Sequence, residues 1–263
     1  MKKSRFTMMM LIASMAMFFF ACSDDNGTNP GNGDNAKDYY KMEVGNWWVY
    51  QNKSIDTNKN VIKDSEFIDT MKIVSNLNYK GKNSFLMTAT RVLNGNKIVD
   101  TTYSAVEDSK LYFYFDKLGN DMFAIPFNGW LLQVDFNKTS WTALDTNIKD
   151  KEIQLQGITG KLTAKFKITG KKLSKENITV DGKTVEAQVF EQTISLNGTI
   201  DMDLNTSIPV NYSIPIKYWY AKNIGMAKSD QQAKKITFSI PRMYTKTIQI
   251  PGSNIMLLKY SVK

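Results

Sequence analysis

Side chains able to carry out chemistry are scarce in this sequence. The 263 residues contain no histidine and a single cysteine, Cys22. Without histidine, the chain cannot build a Ser-His-Asp or Cys-His nucleophile system, and it lacks the usual ligand of a zinc site. Carboxylates remain, and glycoside hydrolysis needs only a pair of them. The candidates for such a pair are Glu186, Glu191, Asp201 and Asp203.

The spacing of these acids favours a solvent-exposed face over a catalytic pair. Asp201 and Asp203 alternate with apolar residues, so they share the polar side of one predicted strand. Residues 157–162 contain a Gly-Lys pair, but they lack the spacing of a phosphate-binding loop and the hydroxyl residue after its lysine. We therefore predict a non-catalytic protein without a metal or cofactor. A carboxylate-dependent glycosidase is kept as an alternative.

The single cysteine stands at the end of an export signal. Three basic residues open the chain, residues 6–21 carry no charge, and the small Ala21 precedes Cys22. The uncharged run is short for an anchor that spans about 30 Å of hydrocarbon. Residues 19–22, with the sequence FFAC, resemble a lipobox in which Phe replaces the usual Leu. We predict a lipoprotein signal peptide over residues 1–21 that is cleaved before Cys22.

Lipid on Cys22 would tether the mature protein to a membrane. Two or three acyl chains hold a protein stably at a bilayer, whereas one chain holds it only weakly. Because Cys22 is the only cysteine, no internal disulfide can form and the core must hold the fold. We assign residues 22–37 to the lipidated cysteine and a flexible tether, since residues 23–35 have no apolar side chain apart from Pro30.

The residues that follow the cysteine bear on the compartment. Ser23-Asp24-Asp25 resembles the acidic surface-export signal of Bacteroidota-type lipoproteins. We predict an outer-membrane lipoprotein, with exposure at the cell surface and a periplasm-facing orientation as the two alternatives. The Asp, Asn and Gly residues of the tether also fit a calcium loop, but the glutamate that closes such a loop is absent.

Charge and composition limit the partners and the number of domains. The formal charge of +9 falls to +6 once the three basic residues of the signal are removed. A basic surface can indicate nucleic acid, but an exported lipoprotein rarely meets it, so we predict no nucleic-acid partner. The alternatives are a solvated lysine surface and contact with lipopolysaccharide or an acidic glycan. A hydrophobic content of 42% is enough for a sizeable core, and the length predicts one domain over residues 38–263, with two small domains as the alternative.

Alternation of apolar and polar residues predicts a β fold. It runs through residues 161–168, 194–204 and 208–220, and the last of these would be one unusually long strand. Pro209 and Pro215 predict that this strand is broken or lies at a sheet edge. The best helical candidate, residues 121–136, is interrupted by a proline and a glycine. We predict an all-β domain, a large curved antiparallel sheet or half-barrel, with a β-sandwich as the alternative.

Two strands place aromatic rings on both of their faces. Residues 47–50 read Trp-Trp-Val-Tyr, and residues 111–115 read Leu-Tyr-Phe-Tyr-Phe. A sheet with one solvent-exposed face does not need aromatic rings on both sides. Either a second layer covers the other face, or the rings line a binding surface. The side chains of that candidate ligand platform are Trp47, Trp48, Tyr50, Tyr112 and Tyr114.

Three segments together resemble a family of uncharacterised Gram-negative lipoproteins. Residues 39–50 are similar to its Y-x-P-L-x-x-G-N-x-W-x-Y opening, with Lys41 for Pro and Met42 for Leu. Residues 136–141 resemble its second Trp segment, without the usual Gly. Residues 219–228 resemble its late Y-A-x-x-V-G-x-x-K hairpin. The resemblance implies a curved antiparallel sheet, loosely similar to the β-clam of Lol-type lipoprotein carriers, and it implies no particular activity.

Three functions remain open at this point. The first is a membrane-anchored, non-catalytic lipoprotein whose aromatic sheet binds an apolar or glycan ligand, a lipid or a partner protein. The second is a purely structural envelope component with no small-molecule site. The third is the glycosidase. A filled concave face would favour the second, and an open apolar cavity would favour the first.

Overall fold

The computed structural model describes residues 34–263 except for 94, 119–124, 126, 156–157, 203–205 and 241–243. These residues form one short helix, α1, and fourteen strands. Helix α1 spans Ala36–Tyr39. The strands are β1 Trp47–Ile55, β2 Phe67–Tyr79, β3 Lys82–Leu93, β4 Asn96–Glu107, β5 Lys110–Phe115, β6 Gly129–Asp135, β7 Ser140–Leu155, β8 Ile158–Val180, β9 Lys183–Met202, β10 Thr206–Ala221, β11 Gly225–Gln231, β12 Lys234–Ile240, β13 Tyr244–Ile250 and β14 Gly252–Ser261.

Twelve of the described strands form a single antiparallel sheet. Their order is β6-β5-β4-β3-β2-β1-β14-β11-β10-β9-β8-β7, so nearly every strand pairs with its neighbour in sequence. The pairing of β1 with β14 joins the two halves of the chain at the middle of the sheet. The predicted all-β fold with one large curved antiparallel sheet is confirmed, and the β-sandwich alternative is not the architecture that forms.

The sheet curls until it is nearly closed, because its two edge strands follow each other in sequence. The β6 strand ends at Asp135 and β7 begins at Ser140, which brings the edges together at one end. The buried side-chain amide of Gln192 on β9 donates a hydrogen bond to the carbonyl oxygen of Gln133 on β6, at 2.5 Å. A side chain of the second half of the sheet therefore reaches the backbone of the first half.

Alternation along each strand separates an inner face from an outer face. We call inner the face that carries Trp48 and Tyr50, both of which are buried. On β8, Leu162 and Phe166 are buried, whereas the alternating Lys161 and Lys165 are exposed and Lys167 is half-buried. The apolar inner positions supply the core, and the lysines account for much of the basic outer surface.

A second, two-stranded sheet covers part of the inner face. It consists of β12 and β13. Its Ile236, Ile248 and Ile250 pack against the core, and the amino group of Lys234 donates to the carbonyl oxygen of Ser213 on β10, at 2.6 Å. The β12 strand therefore lies against the part of β10 that has no ladder with β11.

The long strand with two prolines is continuous and forms an edge where the prolines lie. The β10 strand pairs with β9 along its whole length, from Thr206 to Ala221. The β11 strand pairs only with residues 216–221 of β10. Pro209 and Pro215 therefore fall in the part without a ladder from β11, where a missing N–H costs no ladder hydrogen bond.

Two hairpins use the turn geometry that their sequences require. Asp181 and Gly182 join β8 to β9 with φ angles of 48° and 73°. Lys80 and Gly81 join β2 to β3 with φ angles of 48° and 83°. Two successive positive φ angles fit the type I′ turn, whose twist matches that of the flanking strands. The Asp-Gly pair at this position was predictable, whereas a lysine at a positive φ is uncommon.

The helical candidate at residues 121–136 is wrong where the structure describes it. Residues 129–135 form β6, which pairs with β5 from Gly129 to Asp135 with a shift of register between Leu132 and Val134. The apolar run is buried on both sides, and such a run cannot be distinguished from a helix by periodicity alone. Residues 121–124 and 126 lie outside the described part.

The packed domain includes residues that composition places in the tether. Ala36 is fully buried, and its N–H donates to the carbonyl oxygen of Asp108 at 2.9 Å. The carboxylate of Asp34 forms ion pairs with Lys172 and Lys222, at 3.1 and 3.2 Å. Among the described residues, no helix is long and apolar enough to cross a membrane.

Candidate functional site

The adjacent tryptophans that open β1 lie on opposite faces of the sheet. Trp48 is fully buried on the inner face, and Trp47 is half-buried on the outer face. The indole N–H of Trp48 donates to the carbonyl oxygen of Ile224, at 2.5 Å. Tyr50 is inner as well, and its hydroxyl donates to the carbonyl oxygen of Met226, at 2.9 Å. Trp48 and Tyr50 are therefore core residues with satisfied polar atoms.

The three segments that carry the family resemblance converge at one end of the interior. Tyr40 stacks on Trp48 with 5.6 Å between ring centroids, and it meets Tyr220 edge-on. Tyr39 stacks on Phe136 at 4.5 Å, and Phe136 also contacts Tyr220. Burial raises the pKa of Tyr50 and Tyr220 well above the ordinary range. These segments thus form a neutral aromatic core that closes the end where the chain enters the domain.

A second group of rings lies on the outer face, outside this core. We call Tyr79, Tyr103, Tyr114 and Trp130 the outer aromatic cluster. Tyr79 stacks face to face on Tyr103 with 3.7 Å between centroids. Tyr114 meets Tyr79 edge-on at 4.9 Å and Trp130 edge-on at 5.5 Å. Tyr112 lies on the same face, with the amino group of Lys82 4.1 Å from its ring centroid.

Strand pairing explains why these rings meet. Tyr114 lies directly opposite Trp130 across β5 and β6, and Tyr103 on β4 lies opposite Leu86 on β3. A bulge after Ile73 shifts the register of β2 by one residue, which places Tyr79 opposite Lys82 on the outer face. Cross-strand aromatic pairs of this kind stabilise a sheet. Tyr79, Tyr103 and Trp130 are nevertheless only half-buried.

Polar groups surround the outer aromatic cluster. The hydroxyl of Tyr114 donates to the side-chain oxygen of Asn128 at 2.6 Å, and the amide of Asn128 donates to the carbonyl oxygen of Asp116 at 3.3 Å. The indole N–H of Trp130 donates to the carbonyl oxygen of Lys80, at 3.1 Å. Burial and the Asp116 carboxylate raise the pKa of Tyr114, so its phenol is neutral at physiological pH.

The structure divides the five residues of the predicted ligand platform. Trp48 and Tyr50 lie in the core. Tyr112 and Tyr114 lie together on the outer face, and Trp47 lies on that face as well, but on β1. Sequence reasoning missed Tyr79, Tyr103 and Trp130, which complete the cluster. None of the three carries a local signal, because residues 96–107 show no clean alternation and the bulges in β2 and β6 hide the register of Tyr79 and Trp130.

The candidate carboxylates are not brought together. Glu186 pairs with Lys175 at 2.7 Å, and Glu191 pairs with Lys171 at 2.8 Å. Glu191 and Asp201 are ten residues apart on β9, which corresponds to about 33 Å of strand. Asp203 lies outside the described residues, as do Cys22 and most of the tether with its calcium-like pattern. In the described part, no cluster of three or more Asp, Glu, His or Cys side chains could hold a metal ion.

Comparisons with known proteins find similarity at the level of structure only. No protein-family model and no curated protein matches the chain. The fold is similar to the crystal structure of a candidate lipoprotein from Parabacteroides distasonis ATCC 8503, with 10% identity, a TM-score of 0.41, and coverage of 84% of this chain and 96% of that one. It is also similar to a candidate exported protein with a YmcC-like fold from Bacteroides fragilis NCTC 9343, with 10% identity, a TM-score of 0.38, and coverage of 93% and 99%.

Proposed function

We propose that this protein is a membrane-anchored, non-catalytic lipoprotein that binds an apolar or glycan ligand, or a partner protein, at the cell envelope. The outer aromatic cluster carries the proposal. A sheet needs apolar side chains on the face that packs against its core, yet here stacked and edge-on rings also occupy the other face. Accessible aromatic side chains with a polar rim are typical of a binding surface, and Tyr79, Tyr103 and Trp130 are half-exposed here, whereas Tyr114 is buried.

The composition of the cluster supports recognition of a molecule with both apolar and polar parts. Tyr and Trp each combine a large apolar ring with one polar atom. The amide of Asn128, the carboxylate of Asp116 and the amino group of Lys82 lie at or near the rim. A sugar ring presents C–H groups and hydroxyls, and such a rim can satisfy those hydroxyls.

Anchoring through Cys22 is proposed from the sequence, and it places the binding surface at a membrane. The export signal over residues 1–21 and the small residue before Cys22 support the outer-membrane lipoprotein assignment. Surface exposure rests on the Ser23-Asp24-Asp25 segment, and a periplasm-facing orientation is the alternative. The Asp34 ion pairs support a fixed exit point for the tether.

Replacing Cys22 tests the anchor. The Cys22→Ser variant is expected to lose all lipid attachment and to retain its signal peptide, because the acyl-accepting thiol is gone. Metabolic labelling with a palmitate analogue and intact-mass spectrometry measure both effects. An unmodified Cys22 in the wild-type protein, or cleavage at another bond, would contradict the anchor. A Ser23→Ala variant is the control, and it should be labelled like the wild type.

Replacing a ring of the outer aromatic cluster tests the binding surface. Tyr103→Ser removes half of the closest stack, so we expect affinity to fall at least tenfold, since truncating an aromatic residue that anchors a binding surface costs about 2 kcal/mol or more. The measurement is calorimetric titration with a panel of envelope oligosaccharides and detergent-solubilised lipids.

The matched control is Val99→Ser. Val99 lies on the same strand and the same face as Tyr103, and it is 51% exposed. Its replacement should leave binding unchanged. Equal binding by wild type, Tyr103→Ser and Val99→Ser would remove the outer aromatic cluster from the proposal.

A structural envelope component is the second candidate, and the filled interior favours it. Large side chains contact one another in the interior, among them Phe136 from the turn between β6 and β7, Phe190 from β9 and Tyr220 from β10. If no compound in the panel binds the wild-type protein, this second function is the better description.

A further inference from the structure

Polar and charged side chains replace the apolar core on one part of the inner face. Tyr50 on β1 lies opposite Asp69 on β2, and Asp69 lies opposite Arg91 on β3. Asn52, two residues after Tyr50, is the diagonal neighbour of Asp69 on the same face. Asn52, Asp69 and Arg91 are all more than nine-tenths buried.

The ion pairs in this group are unequal. The guanidinium of Arg91 forms a close ion pair with the carboxylate of Asp100, at 2.6 Å. Its other terminal nitrogen lies 3.7 Å from Oδ1 of Asp69, which is too long for a hydrogen bond. Arg91 therefore hydrogen-bonds to Asp100, and it neutralises the negative charge of the Asp69 carboxylate only in part.

Two buried polar atoms in this group have no hydrogen-bond partner among the described residues. They are Oδ1 of Asp69, an acceptor, and Nδ2 of Asn52, a donor. Leaving such atoms unpaired is costly, because each loses its hydrogen bonds to water on folding. Burial also raises the pKa of Asp69 despite the nearby Arg91, as expected of an incompletely satisfied carboxylate.

The missing partner has a defined chemistry. It must donate a hydrogen bond to the Asp69 carboxylate and accept one from the Asn52 amide, and a hydroxyl group does both. An anion would be repelled by Asp69 and Asp100, and a cation offers no acceptor for the Asn52 amide. We infer that Asn52 and Asp69 form a binding site on the inner face for a hydroxyl group of a neutral, hydroxyl-bearing molecule such as a sugar or polyol.

The surroundings fit such a ligand. The side chain of Asp100 is 55% exposed. The row of charged side chains therefore runs from the buried Asp69 through Arg91 to solvent at Asp100. The ring of Phe67 lies 5.7 Å from the guanidinium carbon of Arg91, and Phe67 is paired with Asn52 across β1 and β2. Aromatic surface beside a donor and an acceptor suits the C–H and O–H groups of a polyol. This site is separate from the outer aromatic cluster and does not depend on it.

The test uses probes that differ only in their hydroxyl groups. Ethylene glycol and D-glucose are titrated into the folded domain, and the side-chain amide resonances of Asn52 are followed by NMR. 1,2-Dimethoxyethane, which has the same oxygen acceptors as ethylene glycol but no donor, is the matched control. We expect saturable shifts with the two hydroxyl probes and none with the ether. Equal shifts with the ether would overturn the proposal. The absence of a shift with every probe would overturn it as well, and an ordered water would then be the partner of the two buried atoms.

Two variants separate a binding role from a structural one. Asp69→Asn should weaken binding of both hydroxyl probes at least tenfold, because it replaces a charged acceptor. Asp145→Asn, at an exposed carboxylate on the outer face, should leave binding unchanged.

Asn52→Leu should abolish binding without lowering the melting temperature, because it removes an unpaired buried amide. A lower melting temperature for Asn52→Leu would indicate a structural water and overturn the site. Tyr103→Ser should leave this binding intact, so failure here is distinguishable from failure of the outer surface.

Discussion

Trp48→Ala is expected to lower the free energy of unfolding by about 3–5 kcal/mol, the range for deleting a large buried aromatic side chain. Trp47→Ala is expected to cost about 1 kcal/mol, close to the average for point mutations. The two residues are neighbours in sequence, but only Trp48 is fully buried. The difference between them measures which face of β1 belongs to the core.

The large effect of Trp48 has two sources. Its ring stacks on Tyr40, and its indole N–H donates a hydrogen bond to the carbonyl oxygen of Ile224. Truncation to alanine therefore leaves both a cavity and a carbonyl without its hydrogen bond. Trp48 also connects β1 to the turn between β10 and β11, which lies far away in sequence. Trp47 contributes to neither contact.

Urea melts of the two single variants measure this difference. Trp48→Phe is a useful third variant, because it keeps most of the stacking and loses the hydrogen bond. We expect it to fall between the wild type and Trp48→Ala. Equal and large losses for Trp47→Ala and Trp48→Ala would mean that protein buries both faces of β1, which would contradict the half-buried outer position of Trp47.

Much of the sheet could be predicted from the sequence, because alternation along a strand reports which face is buried. The even positions of residues 161–168 are all buried, as their apolar character predicts. The Asp181-Gly182 turn was also predictable, since its φ angles demand residues that tolerate a left-handed backbone. The edge position of Pro209 and Pro215 followed from their missing N–H groups.

The candidate sites were harder to predict, because they depend on register. Tyr79 reaches the outer face only through a bulge in β2, and Trp130 lies in a stretch whose periodicity resembles a helix. Asp69 and Arg91 are 22 positions apart in the sequence but are direct partners on the neighbouring strands β2 and β3. Alternation along a strand cannot show such a pairing. Pairing partners come from the folded topology, so residues of a cross-strand site remain scattered in the sequence.

Gly170→Ala is expected to lower the free energy of unfolding by about 3 kcal/mol, at the upper end of the range for overpacking a core. Gly170 lies opposite Trp141 across β7 and β8, and the ring covers it. A Cβ atom at Gly170 would lie 2.1 Å from two ring carbons of Trp141. The ring cannot simply swing away, because it also contacts Phe190 edge-on at 6.0 Å.

The cost at Gly170 is steric, since its φ is not in the left-handed region. Gly182→Ala is the matched control, because Gly182 has a positive φ and open space around it. Its cost should be about 1 kcal/mol, from backbone strain alone.

A double-mutant cycle with Trp141→Leu, read from chemical denaturation curves, isolates the clash. We expect Gly170→Ala to be at least about 1 kcal/mol less destabilising in the Trp141→Leu background, since the smaller side chain leaves room for the methyl group. Additive effects would contradict the direct contact, and they would instead assign the role of Gly170 to strand flexibility.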